Sequence, residues 1–292
     1  MGNTFTDVEA RELDFVSRFA LNWDALREIL GITRAIKKSA GTQLISYTAT
    51  ATDGLATSPA AGEEIPVTDI TVVATKKADL TVEKYRKNVT VEDVVKYGAE
   101  IAVQKTDDAF LNELQGNVMN RFYNFLHTGT LTGTETSWQM ALAMAKGKVL
   151  DKFNTMNKSV TDVVAFVNVL DVYEYIGAAN ITVQTQFGMQ YIKDFMGYST
   201  VFLLSDPQVA RGKVYATAVE NIDLYYVDPA DSDIAKLGLQ YTTDGVTNLI
   251  GFHAEGKYSN ATGESFALMG MALWAEFLDA IAVITVQQGT GV

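Results

Sequence analysis

The stretch that decides the fold runs from Phe187 to Asp228 and reads FGMQYIKDFMGYSTVFLLSDPQVARGKVYATAVENIDLYYVD. Its first part, MQYIKDFM, predicts a short helix that ends before Gly197, and TVFLL after it predicts a buried strand. A turn that contains proline, the segment GKVYATAVENI and a strand at Ile222–Val227 complete the order. The chain shows no regular alternation of strand and helix, so the pattern predicts an α+β fold.

Residues 41–90 predict a long two-stranded hairpin. Strand patterns at Leu44–Ala51 and Asp69–Thr75 flank a flexible tip at Thr52–Pro66, and an extended piece follows at Asp79–Val89. The segment is rich in Thr, Ala and Val and has few large core residues. Because such a hairpin is only marginally stable alone, two interpretations stay open. It lies either on its own domain or, as we favour, on a neighbouring molecule.

The longest helical pattern runs from Val91 to about Leu126, behind a capping signal at Thr90. At about 1.5 Å per residue the helix spans about 50 Å, more than the diameter of a typical small domain. Gly98 and Gly116 would allow a bend. We expect this helix and the hairpin to be too extended for burial within one molecule, and to find their burial on other copies.

The remaining elements alternate without a repeat. An amphipathic helix is predicted from the spacing of Val16, Phe19, Ala20, Trp23, Leu26 and Leu30, with its end near Gly31. Further on, the patterns predict a helix at Trp138–Met156, a buried strand at Val163–Val169, a short helix at Leu170–Ile176, a strand at Thr200–Leu204 and a long strand at Asn248–Tyr258.

The C-terminal run Phe266–Val286 is apolar enough to suggest a membrane helix. Glu276 and Asp279 lie inside it, and each would cost about 2.5–3.5 kcal/mol at a bilayer centre. A buried helical or loop segment followed by a final strand at Ala280–Val286 is therefore the prediction.

Composition limits the partners. The net charge is −12, and it is uneven, since residues 1–150 hold 16 basic and 19 acidic side chains and residues 151–292 hold 7 and 16. Such an acidic chain is not expected to bind nucleic acid by neutralising phosphates, although it could enclose it. The absence of cysteine excludes disulfides and thiolate–metal sites, and two histidines exclude a His-rich metal site.

Motifs of catalysis are missing from the sequence. It has no phosphate-binding loop, no dinucleotide-binding glycine motif and no nucleophile elbow. The weak signals are better explained as structure, so we predict no catalytic, cofactor-binding or metal-binding residue. These signals are His127, His253, the turn Thr128–Gly133, the acidic turn with Asp228, Asp231 and Asp233, and the pair Asp107 and Asp108.

Taken in order, these elements resemble the major capsid proteins of tailed double-stranded DNA bacteriophages, which have the Hong-Kong-97-like fold. The resemblance covers nearly the whole chain and implies candidate axial tips at Gly177–Phe187 and Ala230–Gly238. It assigns residues 1–40 to the N-arm, 41–90 to the extended loop, 91–129 and 246–262 to a peripheral domain with the spine helix and long strand, and 130–245 and 263–292 to the axial domain.

The resemblance implies a structural protein and not an enzyme. Copies would assemble into homo-pentamers and homo-hexamers of an icosahedral shell that encloses phage DNA, in the bacterial host cytoplasm, and would remain in the virion. It implies a separate scaffolding protein or assembly without one, a portal, a decoration protein and no membrane as partner. Two alternatives stay open: an encapsulin-type nanocompartment subunit, and a soluble enzyme of unrecognised type.

Overall fold

The computed structural model describes residues 5–30, 35–39, 41–53, 61–63, 69–176, 183–186 and 189–287. The fold is α+β, as predicted. Its helices are α1 (Phe5–Leu30), α2 (Val91–Tyr97), α3 (Ala99–Leu126), α4 (Trp138–Thr155), α5 (Val169–Ile176) and α6 (Ser232–Ala235). Its strands are β1 (Ala35–Lys37), β2 (Gln43–Asp53), β3 (Asp69–Asp79), β4 (Glu83–Thr90), β5 (Leu131–Glu135), β6 (Val163–Asn168), β7 (Gln184–Gln186), β8 (Met189–Phe195), β9 (Tyr198–Leu204), β10 (Lys213–Ala218), β11 (Ile222–Val227), β12 (Ile250–Lys257), β13 (Thr262–Ala275) and β14 (Ala282–Val286).

The strands form two larger sheets and a separate pair. The five-stranded sheet has the order β1-β11-β13-β12, and β4 also pairs with β13. The seven-stranded sheet has the order β5-β14-β10-β6-β9-β8-β7. The strands β2 and β3 pair with each other as a two-stranded sheet, which we call the hairpin. The strand predictions at Val163–Val169, Thr200–Leu204, Ile222–Val227 and Asn248–Tyr258 are confirmed by β6, β9, β11 and β12.

The seven-stranded sheet is covered on both faces, which explains the continuous apolar run of β6. Val164 and Phe166 belong to the core that includes α1 and α3, whereas Val163, Ala165 and Val167 belong to the core that includes α4. All six residues of β6 are buried. Strands that are buried on both faces lose the alternation of polar and apolar residues.

Helices α3 and α1 connect the two larger sheets, with α3 packed on the seven-stranded sheet and α1 on the five-stranded sheet. The rings of Phe122 and Tyr123 pack edge-on against Phe166 of the seven-stranded sheet, with centroids 5.6 and 5.9 Å away. At the other sheet, Phe15 of α1 stacks on Phe252 of β12 with centroids 4.1 Å apart. The predicted N-arm therefore contributes to the core of its own chain. Its buried apolar side chains are Phe15, Val16, Phe19, Trp23 and Leu26.

The long helix differs from the prediction in two ways. It breaks at Gly98, whose φ of 85° and ψ of 144° separate α2 from α3, while Gly116 lies inside α3 without a break. The predicted cap is confirmed, since the N–H of Asp93 donates to the hydroxyl of Thr90 at 3.2 Å. The expectation that the helix finds its burial only on other copies was wrong for α3, because its face from Phe110 onward is buried in this chain.

The segment MQYIKDFM is strand β8 and not the predicted helix. Tyr191 and Ile192 are adjacent and both buried, and they belong to the cores on opposite faces of the sheet. Two adjacent buried residues break the period of two, so the pattern was mistaken for a helical one. Gly197 does not follow a helix: with a φ of 79° it lies in a two-residue hairpin turn between β8 and β9, next to Met196 at 52°.

We expect Gly197→Val to lower the free energy of unfolding by about 1–2 kcal/mol, because a β-branched residue is strained at this positive φ. A Cβ at this position would also lie 2.8 Å from the Nζ atom of Lys146. Chemical denaturation measures the change. The matched control is Gly116→Ala in α3, where a Cβ meets nothing within 4 Å, and which should be neutral or stabilising. An unchanged unfolding free energy in Gly197→Val would contradict the turn assignment.

The C-terminal run also differs from the prediction. Residues Phe266–Ala275 belong to the 14-residue strand β13 and are neither helix nor loop, while the predicted final strand is β14. Strand β13 reads as an apolar run because nearly all its residues are buried. Over Thr262–Met269 it pairs with both β4 and β12. The domain division stays a prediction, but its boundary at 262/263 would cut β13 from these two partners.

No helix among the described residues is long and apolar enough to cross a membrane.

Candidate assembly surfaces

The hairpin presents one apolar face that none of the described residues of its own chain covers. In the register of β2 and β3, Tyr47 lies opposite Ala74 and Ala49 opposite Val72. Because side chains alternate along a strand, Ile45, Tyr47, Ile70 and Val72 share one face. They are 39%, 63%, 60% and 59% exposed. An exposed apolar face of this kind marks an interaction site.

The base of the hairpin is anchored in the molecule. Leu80 is 2% exposed and packs with Val227 and Ala272 of the five-stranded sheet. Its backbone N–H donates to Thr42 O at 2.9 Å, and its carbonyl accepts from Gly41 N at 2.8 Å. These contacts fix the base of the hairpin to the five-stranded sheet. The tip predicted at Thr52–Pro66 lies mostly outside the described residues.

A second apolar surface lies on α2 and the first turn of α3. None of the residues of α2 is buried in this chain. Its most exposed apolar side chains, together with Ile101 in the first turn of α3, are between 49% and 80% exposed, and we call this set the α2 stripe. The stripe consists of Val91, Val95, Tyr97 and Ile101. The start of the long helix is therefore not buried in this chain, unlike the rest of it, and its burial on other copies stays a prediction.

A buried charge cluster fixes α1 against α3 and the five-stranded sheet. The guanidinium of Arg11 donates two hydrogen bonds of 2.8 Å to Asp107 and a third of 3.0 Å to Ser265. Lys87 of β4 also forms an ion pair with Asp107 and donates to Thr106 at 2.9 Å. Asp107 is 3% exposed. One buried carboxylate therefore holds two cations from two different elements.

The protonation equilibria of this cluster reflect burial and pairing. Burial alone would raise the pKa of Asp107, but the hydrogen bonds from Arg11 and Lys87 outweigh it and hold the pKa below its ordinary value. Burial lowers the pKa of Lys87, and its hydrogen bond to Asp107 acts in the opposite direction. Asp107, suggested by sequence only as half of a solvated acidic pair, is thus a structural residue of the core.

Each of the two histidines contacts a different part of the fold. The Nε2 atom of His127 is 2.9 Å from the carbonyl oxygen of Gln208. His253 lies 3.3 Å from Glu12, a buried carboxylate that also accepts from the backbone N–H of Ala254 at 2.5 Å. The arrangement joins α1 to β12. It assigns both histidines to contacts between elements.

The acidic turn caps a helix and binds a lysine. Asp228 accepts from Lys37 at 2.7 Å and from the N–H of Ala230 at 2.9 Å. Partial burial opposes ionisation, but these contacts outweigh it and lower the pKa of Asp228. Asp231 accepts from the N–H of Asp233 and begins α6. Within the described part of the chain, no three His, Asp or Glu side chains form a group that could hold a metal ion.

The other predicted features are placed as follows. The predicted turn Thr128–Gly133 is shorter in the structure, because Leu131–Gly133 belong to β5. The hydroxyl of Thr128 donates to Phe125 O at 2.7 Å, so this turn closes α3. The candidate tip Ala230–Gly238 contains α6. Of the candidate tip Gly177–Phe187, only residues 183–186 are described, and they contain β7.

No family model matches the chain, and no curated protein matches its sequence. Solved structures do match. The asymmetric unit of the bacteriophage PhiM1 mature capsid aligns with a TM-score of 0.53 at 6% identity, covering 87% of this chain and 86% of that chain. The capsid structure of cyanophage P-SCSP1u gives 0.51 at 9% identity, covering 88% and 86%. A structure from Microbacterium phage Oxtober96 gives 0.51 at 14% identity, covering 89% and 90%.

These likenesses show the fold. The chain has the Hong-Kong-97-like capsid fold, as the order of its elements indicated. The five-stranded sheet, the long helix, the projecting hairpin and the seven-stranded sheet are its parts.

Proposed function

We propose that this protein is a major capsid protein that assembles with copies of itself into the shell of a tailed bacteriophage. The proposal rests on one observation above all: in a chain with this fold, the hairpin keeps an apolar face of four large side chains uncovered. In a shell built from identical subunits, every hairpin has a second copy of the same chain beside it that can cover this face.

The apolar face of the hairpin is small, so its contact with one neighbouring subunit should have low affinity. Full burial of a large apolar side chain is worth about 1.5–3 kcal/mol, and Ile45, Tyr47, Ile70 and Val72 are about half exposed. Covering them contributes about 4 kcal/mol, which corresponds to millimolar affinity. Such a contact alone would not hold two molecules together. A subunit that touches several neighbours through the hairpin, the α2 stripe and the edges of the seven-stranded sheet gains avidity.

Weak multiple contacts suit a closed shell. A contact between different patches of identical subunits closes into rings when its rotation permits. In the proposed shell these rings are homo-pentamers and homo-hexamers, with residues 130–245 and 263–292 around the axes. Misplaced subunits can dissociate before the shell closes, because no single contact is strong.

The enclosed material is proposed to be double-stranded DNA, held without sequence-specific contacts. A net charge of −12 disfavours tight binding to phosphates and so allows loading and release. The further partners of the proposal are a scaffolding protein, a portal and a decoration protein, and the location is the virion after assembly in the host cytoplasm. Catalysis has no part in the proposal.

Expression of the chain, alone and together with the products of its neighbouring genes, tests the proposal by negative-stain electron microscopy. We expect closed particles of uniform diameter. A subunit that stays monomeric at high concentration under every condition would refute the proposal. The contents distinguish the two shell functions, because particles from infected cells should protect DNA from nuclease, whereas a nanocompartment would contain a protein cargo.

A further inference from the structure

A groove of about 800 Å³ lies between α1 and the edge of the five-stranded sheet that β12 forms. Helix α1 lines one side with Val8, Glu9 and Leu13, and residues 253–256 of β12 line the other. Residues 240–242, which come before β12 in the chain, also line it. Among the described residues, none from the hairpin or the α2 stripe contributes to this groove.

The backbone edge of β12 is open beyond Ala254. On the side away from β13, the described residues supply one isolated bridge, in which Phe252 and Thr242 exchange hydrogen bonds of 2.8 and 2.9 Å. Because inward and outward backbone groups alternate along an antiparallel strand, those of Ala254 and Gly256 also point away from β13. The N–H of Ala254 donates to Glu12. The carbonyl of Ala254 and both backbone groups of Gly256 have no partner among the described residues.

The space beside Gly256 is free. A Cβ added at this glycine would meet no atom within 4 Å, and Tyr258 just after β12 is fully exposed. A sheet edge with unpaired N–H and C=O groups is a template for a further extended segment, which binds through backbone hydrogen bonds. Glu12 satisfies one donor of this edge, and the groove leaves two acceptors and one donor for an added strand.

The groove combines apolar and acidic side chains. Leu13 is half exposed although α1 buries most of its apolar residues. Glu9 and Glu255 are exposed, and the buried carboxylate of Glu12 lies 3.3 Å from His253. His253 also lies 3.9 Å from Glu255. No lysine or arginine from the described part of the chain lines the groove, so its carboxylates favour a cationic ligand.

We propose that this groove binds an extended segment of a partner protein, which adds to the edge of β12 as a further strand and carries alternating apolar and basic residues. Successive side chains of such a strand point to opposite faces. The apolar set faces α1 and covers Val8 and Leu13, while the basic set lies on the face of Glu255. A scaffolding protein is a partner of this kind, so the inference deepens the function proposed above and rests on it.

The chain itself does not supply this segment. The residues outside the described ranges include one basic residue, Arg34. Lys84 and Arg86 alternate along β4, but β4 is already paired with β13. Lys76 and Lys77 lie in β3, which is paired with β2. A second copy has the same pairings and a net charge of −12, which disfavours its approach to an acidic groove. A different, basic protein fits better.

Fluorescence anisotropy tests the groove with the unassembled full chain and two labelled hexapeptides, Lys-Val-Lys-Leu-Lys-Val and Glu-Val-Glu-Leu-Glu-Val. We expect the lysine peptide to bind at least tenfold more tightly than the glutamate peptide. Glu255→Lys should weaken its binding at least fivefold. The matched control is Glu28→Lys, which makes the same charge change at an exposed position of α1 outside the groove and should stay within twofold of wild type. Thermal unfolding should be unchanged in both variants.

A second form of the lysine peptide separates strand addition from charge attraction. Methylation of its backbone nitrogens at alternate residues, tried in both registers, removes the donors that face β12 in one register and keeps the charge of the peptide. We expect one register to bind at least tenfold more weakly than the other. Equal binding of the lysine and glutamate peptides, or of the two methylated registers, would overturn the inference. Particle formation by the wild-type chain would then still support the proposed function.

The natural occupant is identified in particles formed with the products of the neighbouring genes. A photoreactive phenylalanine replaces Tyr258, which is fully exposed beside the groove. We expect cross-links to a basic segment of a different protein. Cross-links to copies of this chain alone, or no cross-link to another protein, would contradict the proposal. Failure of the wild-type chain to form particles under any condition would instead refute the proposed function, and the peptide measurements on the subunit would still decide whether the groove binds a strand.

Discussion

Val72→Asp should abolish particle formation and leave the subunit folded. Val72 is 59% exposed and lies on the apolar face of the hairpin with Tyr47 and Ile70, so a carboxylate costs the isolated subunit little. In the shell, the same carboxylate would be buried without a partner, and an unpaired buried charge costs several kcal/mol. Because every subunit contributes the same contact, that cost recurs at each hairpin. Electron microscopy and sedimentation measure the loss of particles.

Val73→Asp is the matched control for this change. Val73 is the next residue of the same strand, is 55% exposed and points to the opposite face of the hairpin. We expect a weaker effect on assembly than at Val72, and unchanged thermal unfolding in both variants. Normal particles from Val72→Asp, or an equal loss from the two variants, would show that the face with Tyr47 does not make the contact.

Asp107→Asn should lower the free energy of unfolding by about 3 kcal/mol at neutral pH. The change removes the carboxylate that holds Arg11 and Lys87 and leaves two partly buried cations without their anion, a loss typical of a broken buried ion pair. The control is Asp108→Asn. Asp108 pairs with Arg18 at 2.7 Å, but its side chain is 41% exposed, so its pair should contribute less than about 1 kcal/mol.

The pH dependence gives this prediction a second readout. The folded pKa of Asp107 lies below the ordinary carboxyl value of 3.8, so its ion pairs stabilise the folded state fully above that value. The contribution is lost as the pH falls through the folded pKa. The difference between wild type and Asp107→Asn, measured by denaturant titration, should therefore shrink below pH 3.8. If the difference in unfolding free energy between wild type and Asp107→Asn does not change with pH, the destabilisation is due to altered packing and not to the lost charge.

The elements with a clear period were predictable from sequence. The repeat of Val16, Phe19, Trp23 and Leu26 gave α1, and the capping signal at Thr90 gave the start of α2. The hairpin followed from two strand patterns around a glycine- and proline-rich tip. The hairpin was predicted to be exposed because it has few large side chains. This property can be read directly from the local sequence.

Strands β8 and β13, which the sequence analysis assigned to other structure, have both faces covered. Strand β8 buries Tyr191 and Ile192 on opposite faces, and β13 is buried along nearly its whole length. In such strands the hydrophobic pattern no longer records the backbone geometry, so a buried strand and a buried helix look alike. For β8, the packing of α3 and α4 on opposite sides of the seven-stranded sheet distinguishes the two, and for β13 its pairing with β4, β11 and β12 does.

The sites were the least predictable part. The pairing of Arg11 with Asp107 joins residues 96 positions apart, and no local pattern reports such a contact. Trp138, Glu174 and Arg211 likewise come from three separate segments to line one surface cleft. Once the register of β2 and β3 is known, the alternation of side chains along the two strands shows which residues form the apolar face of the hairpin. The register itself depends on how the strands pair across the tip, and the sequence does not specify this pairing.

The most direct test of the account is the reactivity of a single thiol on the hairpin. The chain has no cysteine, so Ala74→Cys introduces the only one, at an exposed position opposite Tyr47. The account predicts rapid labelling by a maleimide in the unassembled subunit and at least tenfold slower labelling in assembled particles. Equal labelling rates in the two states would contradict the claim that another copy covers the apolar face of the hairpin.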